Sequence, residues 1–232
     1  RHHPFHVEPE SPQPLEAILA TGLAELGLPA ECATALAELS RLVARWAERT
    51  NLTAHRGPEA VARRLVLEAV ALGAALPVVP PRTLADLGSG AGFPGLPLAI
   101  LWPGCQVTSI DSRERRHHFQ RTAIRALGLS NVHAVRGRAE SADATPHQIV
   151  VAQAMAPPAQ VLQWMRRWVA ADGWLALAQS DPAAPVTAPE DVRFESIQRY
   201  RVPRGGAFRS LWLGRPAGRI LDGTCAAVIP RP

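Results

Sequence analysis

"LADLGSGAGFPGLPLAI" (residues 84–100) reads as a buried strand ending at Asp86, a turn through Gly88, Ser89, Gly90, Ala91 and Gly92, and a helix starting near Pro94. A structural turn alone needs one glycine or two. The additional glycines let the backbone approach a ligand closely, and the helix N-terminus behind them offers unpaired N–H groups to an anion. Pro94 suits a first helical turn, where its missing N–H costs nothing. The stretch predicts a cofactor loop.

Working outward, residues 13–76 carry apolar side chains at three- and four-residue intervals with Glu and Arg between them, the pattern of amphipathic helices. "PLEAILATGLAELGL" is closed by Gly27. "ECATALAELSRLVARWAERTNL" is broken at Asn51 and Thr53, and "PEAVARRLVLEAVALGAAL" starts after Gly57 and stops before Pro77. Beyond the stiff "PVVPPR" connector, strands alternate with helices. "CQVTSID" (105–111), "NVHAVRG" (131–137), "QIVVAQA" (148–154) and "GWLALAQ" (173–179) are strands, and "RERRHHFQRTAIRALGL" and "PAQVLQWMRRWVA" are helices. That alternation predicts an α/β fold with a parallel, Rossmann-like sheet and helices on both faces. "FESIQRYRVP" and "AFRSLWLGRP" predict a closing hairpin around Gly205-Gly206. The expected organisation is a flexible lead (1–12), a helical region packed on the core (13–80), the main domain (81–215) and a tail (216–232).

Bulk composition narrows the class. The chain has 232 residues, 47% of them hydrophobic, enough for one α/β domain with an appendage. No apolar run approaches the ~20 residues of a membrane span, and the polar opening "RHHPFHVEPESPQP" lacks the apolar core of a signal peptide. His2, His3 and His6 near Glu8 have nothing to hold them in a fixed geometry, so no metal site is expected. Cys32, Cys105 and Cys225 are odd in number and widely spaced, which argues against zinc or a disulfide framework and suits the cytoplasm. The formal charge is +5, and all 25 basic residues are Arg. Arg forks phosphate oxygens, so a polyanionic partner is expected beside the plain reading of solubility. Candidates for an RNA-facing surface are Arg63, Arg64, Arg113, Arg115, Arg116, Arg136, Arg138, Arg199, Arg201 and Arg209.

Two cofactors compete for the loop. From Gly90, "GAGFPG" matches G-x-G-x-x-G, and Asp111 stands where a dinucleotide fold places its ribose carboxylate. A dinucleotide strand normally runs straight into its first glycine, whereas Asp86-Leu87-Gly88-Ser89 intervenes here. The run D-x-G-x-G-x-G from Asp86 to Gly92 instead resembles the first motif of class I S-adenosylmethionine-dependent methyltransferases. That resemblance implies Asp86 and the glycines around the methionine moiety, and Asp111 on the ribose hydroxyls.

The resemblance extends further. "RLVARWAERTNLTAHRGPEAVARRLVLEAVAL", built around Trp46 and Asn51-Leu52-Thr53, is similar to the N-terminal signature of the RsmG (GidB) family. "DLGSGAGFPGLPLAI", "VTSIDSRERR", "GLSNVHAVRGRAE" and "AQAMAPPAQVLQW" follow in that family's order, over about residues 13–215. The resemblance implies methylation of guanine N7 in small-subunit ribosomal RNA, free or in the particle, by a cytoplasmic monomer using S-adenosyl-L-methionine. It implies cofactor contacts from Asp86, Gly88, Ser89, Gly90, Gly92, Phe93, Asp111, Ala139, Glu140 and Gln153, with Gln153 and Asn51 positioning substrate. Guanine N7 carries an exposed lone pair, so no general base is required and placement is the main task. Three positions depart from the family pattern. Gln153 replaces an Arg, Ala178-Gln179 replaces Lys-Gly, and Arg64-Leu65 replaces Arg-His. A weakened paralogue that binds cofactor or RNA, and a methyltransferase of small molecules, are the alternatives.

Overall fold

The computed structural model describes residues 13–153 and 155–218. The lead, Ala154, Cys225 and residues 219–232 lie outside the described residues. The N-terminal helices are α1 (Leu15–Glu25), α2 (Ala33–Arg49), α3 (Pro58–Val61) and α4 (Leu67–Ala74). The sequence predicts one helix over 58–76, but a π-turn at Ala62–Val66 joins α3 to α4. Its wider i→i+5 winding changes which side chains face inward. Before it the helix packs on α2; after it, α4 packs on α1 and on α5 (Gly95–Leu101).

The remaining elements alternate as expected. They are β1 (Thr83–Leu87), α5, β2 (Gln106–Asp111), α6 (Glu114–Ala126), β3 (Val132–Arg136), β4 (His147–Gln153), α7 (Pro158–Trp168), β5 (Val169–Ser180), β6 (Val192–Arg201) and β7 (Phe208–Pro216). The sheet order is β3-β2-β1-β4-β5-β7-β6. Strands β3, β2, β1, β4 and β5 run parallel, and β7 is antiparallel to both of its neighbours. The closing hairpin forms, but its second strand enters the sheet beside β5 while its first lies outside. Side-chain character decides this placement. Ser210, Leu211, Trp212 and Leu213 are all buried, as a strand covered on both faces requires. Strand β6, "VRFESIQRYR", is mostly exposed and carries charge at Arg193, Glu195, Arg199 and Arg201, which suits an edge and discourages pairing with other chains.

Alternation along the strands sends two side-chain sets to two cores. Leu84, Ile149, Val151, Ala176 and Leu211 meet Leu19, Leu36, Leu67 and Leu98 of the helical layer. Ala85, Leu87, Val150, Leu175 and Leu177 meet Leu162, Met165 and Trp168 of α7. Each fully buried large side chain contributes about 1.5–3 kcal/mol, so both faces of the sheet are fixed. Strands progress away from β1 in one direction through β2 and in the other through β4. A crevice opens at the carboxyl ends of strands where the order reverses in this way, and there the glycine turn lies.

Candidate active site

Gly88, Gly90 and Gly92 have φ of 69°, 58° and 84°. This left-handed region is strained for any residue with a Cβ, which explains the glycine spacing. The turn is stapled to the end of β2. Ser89 donates its N–H (3.0 Å) and Oγ (3.2 Å) to the Ile110 carbonyl, and Gly90 N–H donates to Asp111 Oδ2 at 2.9 Å. From α6, Gln120 Nε2 donates to Ser89 Oγ and to Gly90 O, both at 2.8 Å. Sequence reasoning missed Gln120. Its signal is a polar residue on the buried stripe of Phe119 and Ala123.

Below the turn is a cavity of about 560 Å³, lined by Gly88, Gly90, Phe93, Asp111, Ala139, Glu140, Gln153, Met155 and Trp164 among others. That volume suits a small-molecule ligand. Asp111 is 4% exposed and its carboxylate takes Gly90 N–H, Arg113 N–H (2.8 Å) and Arg116 Nη1 (3.2 Å). A carboxylate offers about four lone-pair sites, so acceptor capacity remains for a ligand hydroxyl. The 137–142 segment is clamped from α7: Trp168 Nε1 donates to Ala139 O at 2.8 Å, and Arg167 donates to the carbonyls of Ala139, Glu140 and Ala142.

Three expected cofactor contacts do not line this cavity. Asp86 is 1% exposed and points at the α5 layer, where Oδ2 accepts Gly95 N–H at 2.8 Å. Burial pushes its carboxyl up to about 7; the Gly95 hydrogen bond opposes the rise and the charge of Asp111 adds to it. Ser89 is consumed by its hydrogen bonds within the turn. Gly92 faces Leu96, which would lie 2.4 Å from any added Cβ. These residues shape the turn from behind. Asn51 is also apart, exposed in a cleft with Thr50, Leu52 and the first turn of α6.

A second cavity, about 220 Å³, adjoins the first and shares Leu65, Phe93 and Gln153 with it. Its polar end comprises His55, Arg64, Glu68 and Arg209. Arg209 forks Glu68 at 2.8 and 3.2 Å, and Gln153 Nε2 donates to Glu68 Oε1 at 3.1 Å. Glu68 holds the Arg209 guanidinium above its ordinary value, while burial and then the Glu68 charge raise the Tyr200 hydroxyl. Glu68 is therefore the anionic centre of a polar cluster drawn from α4, β4 and β7. Ala178 pairs with Gln153 across β4 and β5, but is 7% exposed in apolar surroundings.

A glycine turn after β1, an acidic residue closing β2 and this sheet order define a class I S-adenosylmethionine-dependent methyltransferase. S-adenosyl-L-methionine is its cofactor. Residues 33–211 match the family model described as rRNA small subunit methyltransferase G, and the chain belongs to that family, GidB. It is 39% identical over 201 residues to Ribosomal RNA small subunit methyltransferase G of Chromohalobacter salexigens, covering 84% of this chain and 95% of that protein. The protein of the same name from Methylobacillus flagellatus is 38% identical over 168 residues, covering 71% and 80%. Among solved structures, a variant of MtNAS in complex with S-adenosylmethionine shares the fold at 18% identity and TM-score 0.54, covering 88% of each chain. TrmN from Thermus thermophilus does so at 21% identity and TM-score 0.50, covering 64% of this chain and 48% of its own. Among the described residues no helix is long and apolar enough to cross a membrane, and no cluster of His, Cys, Asp or Glu suits a metal.

Proposed function

We propose that this methyltransferase modifies N7 of a guanine in small-subunit ribosomal RNA, acting in the cytoplasm as a single chain. The observation that carries the reading is the pair of adjoining compartments sharing Phe93 and Gln153. One is shaped for a nucleoside with a hydroxyl acceptor at Asp111; the other is smaller, with a polar end that suits a base and its flanking phosphate. The name shared with relatives along most of the chain supports the RNA class.

Bound cofactor supplies an electrophilic methyl on a sulfonium. With it bound, Asp111 would accept from its ribose hydroxyls, the backbone at Ala139-Glu140 would edge its adenine, and Gly88 and Gly90 would let it approach the turn closely. Phe93 and Leu65, which line both compartments, would keep water from between them. The guanine N7 lone pair needs no deprotonation, so these residues align and no base is required. Alignment errors of about 1 Å cost about a hundredfold in rate. Gln153 lacks the charge of the family's Arg, yet Arg209 brings a guanidinium to the same carboxylate, Glu68. A weakened, binding-only paralogue is accordingly not favoured.

The test is single-turnover transfer of labelled methyl to purified small-subunit RNA and to purified small subunits, followed by mass mapping of the product. Label on a guanine, lost as the base after mild depurination, is the expected result. Label on another atom refutes the N7 assignment, and label on small molecules alone refutes the RNA substrate.

A further inference from the structure

Of the ten arginines the sequence offers for nucleic-acid contact, Arg63, Arg116, Arg136, Arg138, Arg199 and Arg209 each lie in an ion pair with a carboxylate, whereas Arg64, Arg113, Arg115 and Arg201 have none among the described residues. Two further unpaired arginines share a groove. At the β3 edge of the sheet, a groove of about 410 Å³ runs between α6 and β3. Its rims are His117, Arg121 and Arg125 on one side and His133 on the other, over a floor of Ile124, Val132 and Ala134. Among the described residues no carboxylate lines the groove, and none pairs with Arg121 or Arg125.

We infer that this groove binds the sugar–phosphate backbone of an A-form RNA strand away from the target base. The inference rests on the RNA-substrate reading above. Arg121 and Arg125 are one helical turn apart, about 5–6 Å between Cβ atoms, which suits neighbouring phosphates on one strand. The Ala134 carbonyl only accepts, so His117 Nε2, 3.3 Å away, donates in that contact and Nδ1 is the ring nitrogen left for a ligand. A ribose 2′-OH both donates and accepts and so can pair with that nitrogen, and DNA has no equivalent group. The apolar floor suits a sugar face. Helix α6 starts at the cofactor cavity, where Arg113 stands, and Arg121 lies about 12 Å further along it. Strand spacing places the groove about 14 Å across the sheet from β4 and Gln153. A strand held there extends the substrate contact well beyond one nucleotide. A second copy of this chain at the same edge would bring the unpaired arginines together.

The test compares the protein with its Arg121→Gln/Arg125→Gln variant, both residues being exposed. Binding of small-subunit RNA, an RNA hairpin duplex and the matching DNA duplex is measured by anisotropy across a salt series. Loss of two phosphate contacts should lower the log–log salt slope by about 2 and weaken RNA binding at least tenfold. KM for RNA should rise, with kcat and S-adenosylhomocysteine affinity unchanged. His117→Phe should narrow the preference for RNA over DNA. An unchanged slope and affinity overturn the inference, as does DNA binding equal to RNA binding in the native chain. If methyl transfer to RNA is absent but RNA binding still depends on Arg121 and Arg125, the groove stands and the catalytic reading fails. If transfer proceeds and both proteins bind alike, only the groove fails.

Discussion

The substitution Asp86→Asn removes one proton-binding site from the middle of the sheet with almost no change of shape. Burial raises that carboxyl from 3.8 to about 7, and among the described residues Gly95 N–H is its one hydrogen-bond donor. A rise of that size corresponds to about 4 kcal/mol of linkage. The folded state holds the proton more tightly than the unfolded one. Stability from this group is therefore fully present below the unfolded value near 4 and is lost as pH rises through about 7. The amide of the variant does not titrate, and its carbonyl still accepts from Gly95. The free-energy difference between variant and native chain should move by about 4 kcal/mol in favour of the variant from about pH 4 to about pH 8. Urea unfolding of both proteins at half-unit pH intervals measures it, and subtraction removes every other titrating group. A flat difference refutes the burial argument. A difference of opposite sign means that the N-terminus of α5 stabilises the carboxylate more than desolvation opposes it.

Asp111→Ala should weaken S-adenosylhomocysteine about ten- to a hundredfold by calorimetry, the cost of a charged acceptor being about 1.5–3 kcal/mol; unchanged affinity would remove Asp111 from the cofactor site. Gly95→Ala would bring a Cβ to 2.9 Å from Asp86 Oδ2 and 3.4 Å from Val107 Cγ1, and should cost about 1–3 kcal/mol in denaturant unfolding. Glu68→Gln removes the charge that Arg209 and Gln153 share; single-turnover transfer to RNA should fall about tenfold while S-adenosylhomocysteine affinity holds.

Local signals carried the glycine turn, the alternation of elements and the position of Asp111, because each depends on residues close in sequence. What was not legible depends on distance. Glu68 and Arg209 are 141 residues apart and meet only once β7 is inserted beside β5. The sequence reading stopped at a closing hairpin, because over a run as short as "SLWL" a strand buried on both faces is hard to separate from one buried on a single face. Asp86 carried the right residue type at the right spacing, yet which way a strand side chain points depends on the sheet's pairing, and here it points to α5. Arg121 and Arg125 were passed over because exposed arginines on a helix look alike until their carboxylate neighbours are known.

The π-turn at Ala62–Val66 acts as a phase adjuster in an otherwise regular rod. An i→i+5 turn holds one residue more than an i→i+4 turn, so deleting one residue within it would let the rod rewind as uninterrupted α-helix with everything beyond it in almost its present phase. In plain α-helix the same deletion would turn all that follows by about 100°, one residue's share of a helical turn. Glu68, Ala69 and Leu72 line the smaller cavity together, and all three would keep their register with β4 and β7. This short segment should therefore tolerate a loss of one residue that the helices on either side of it would not.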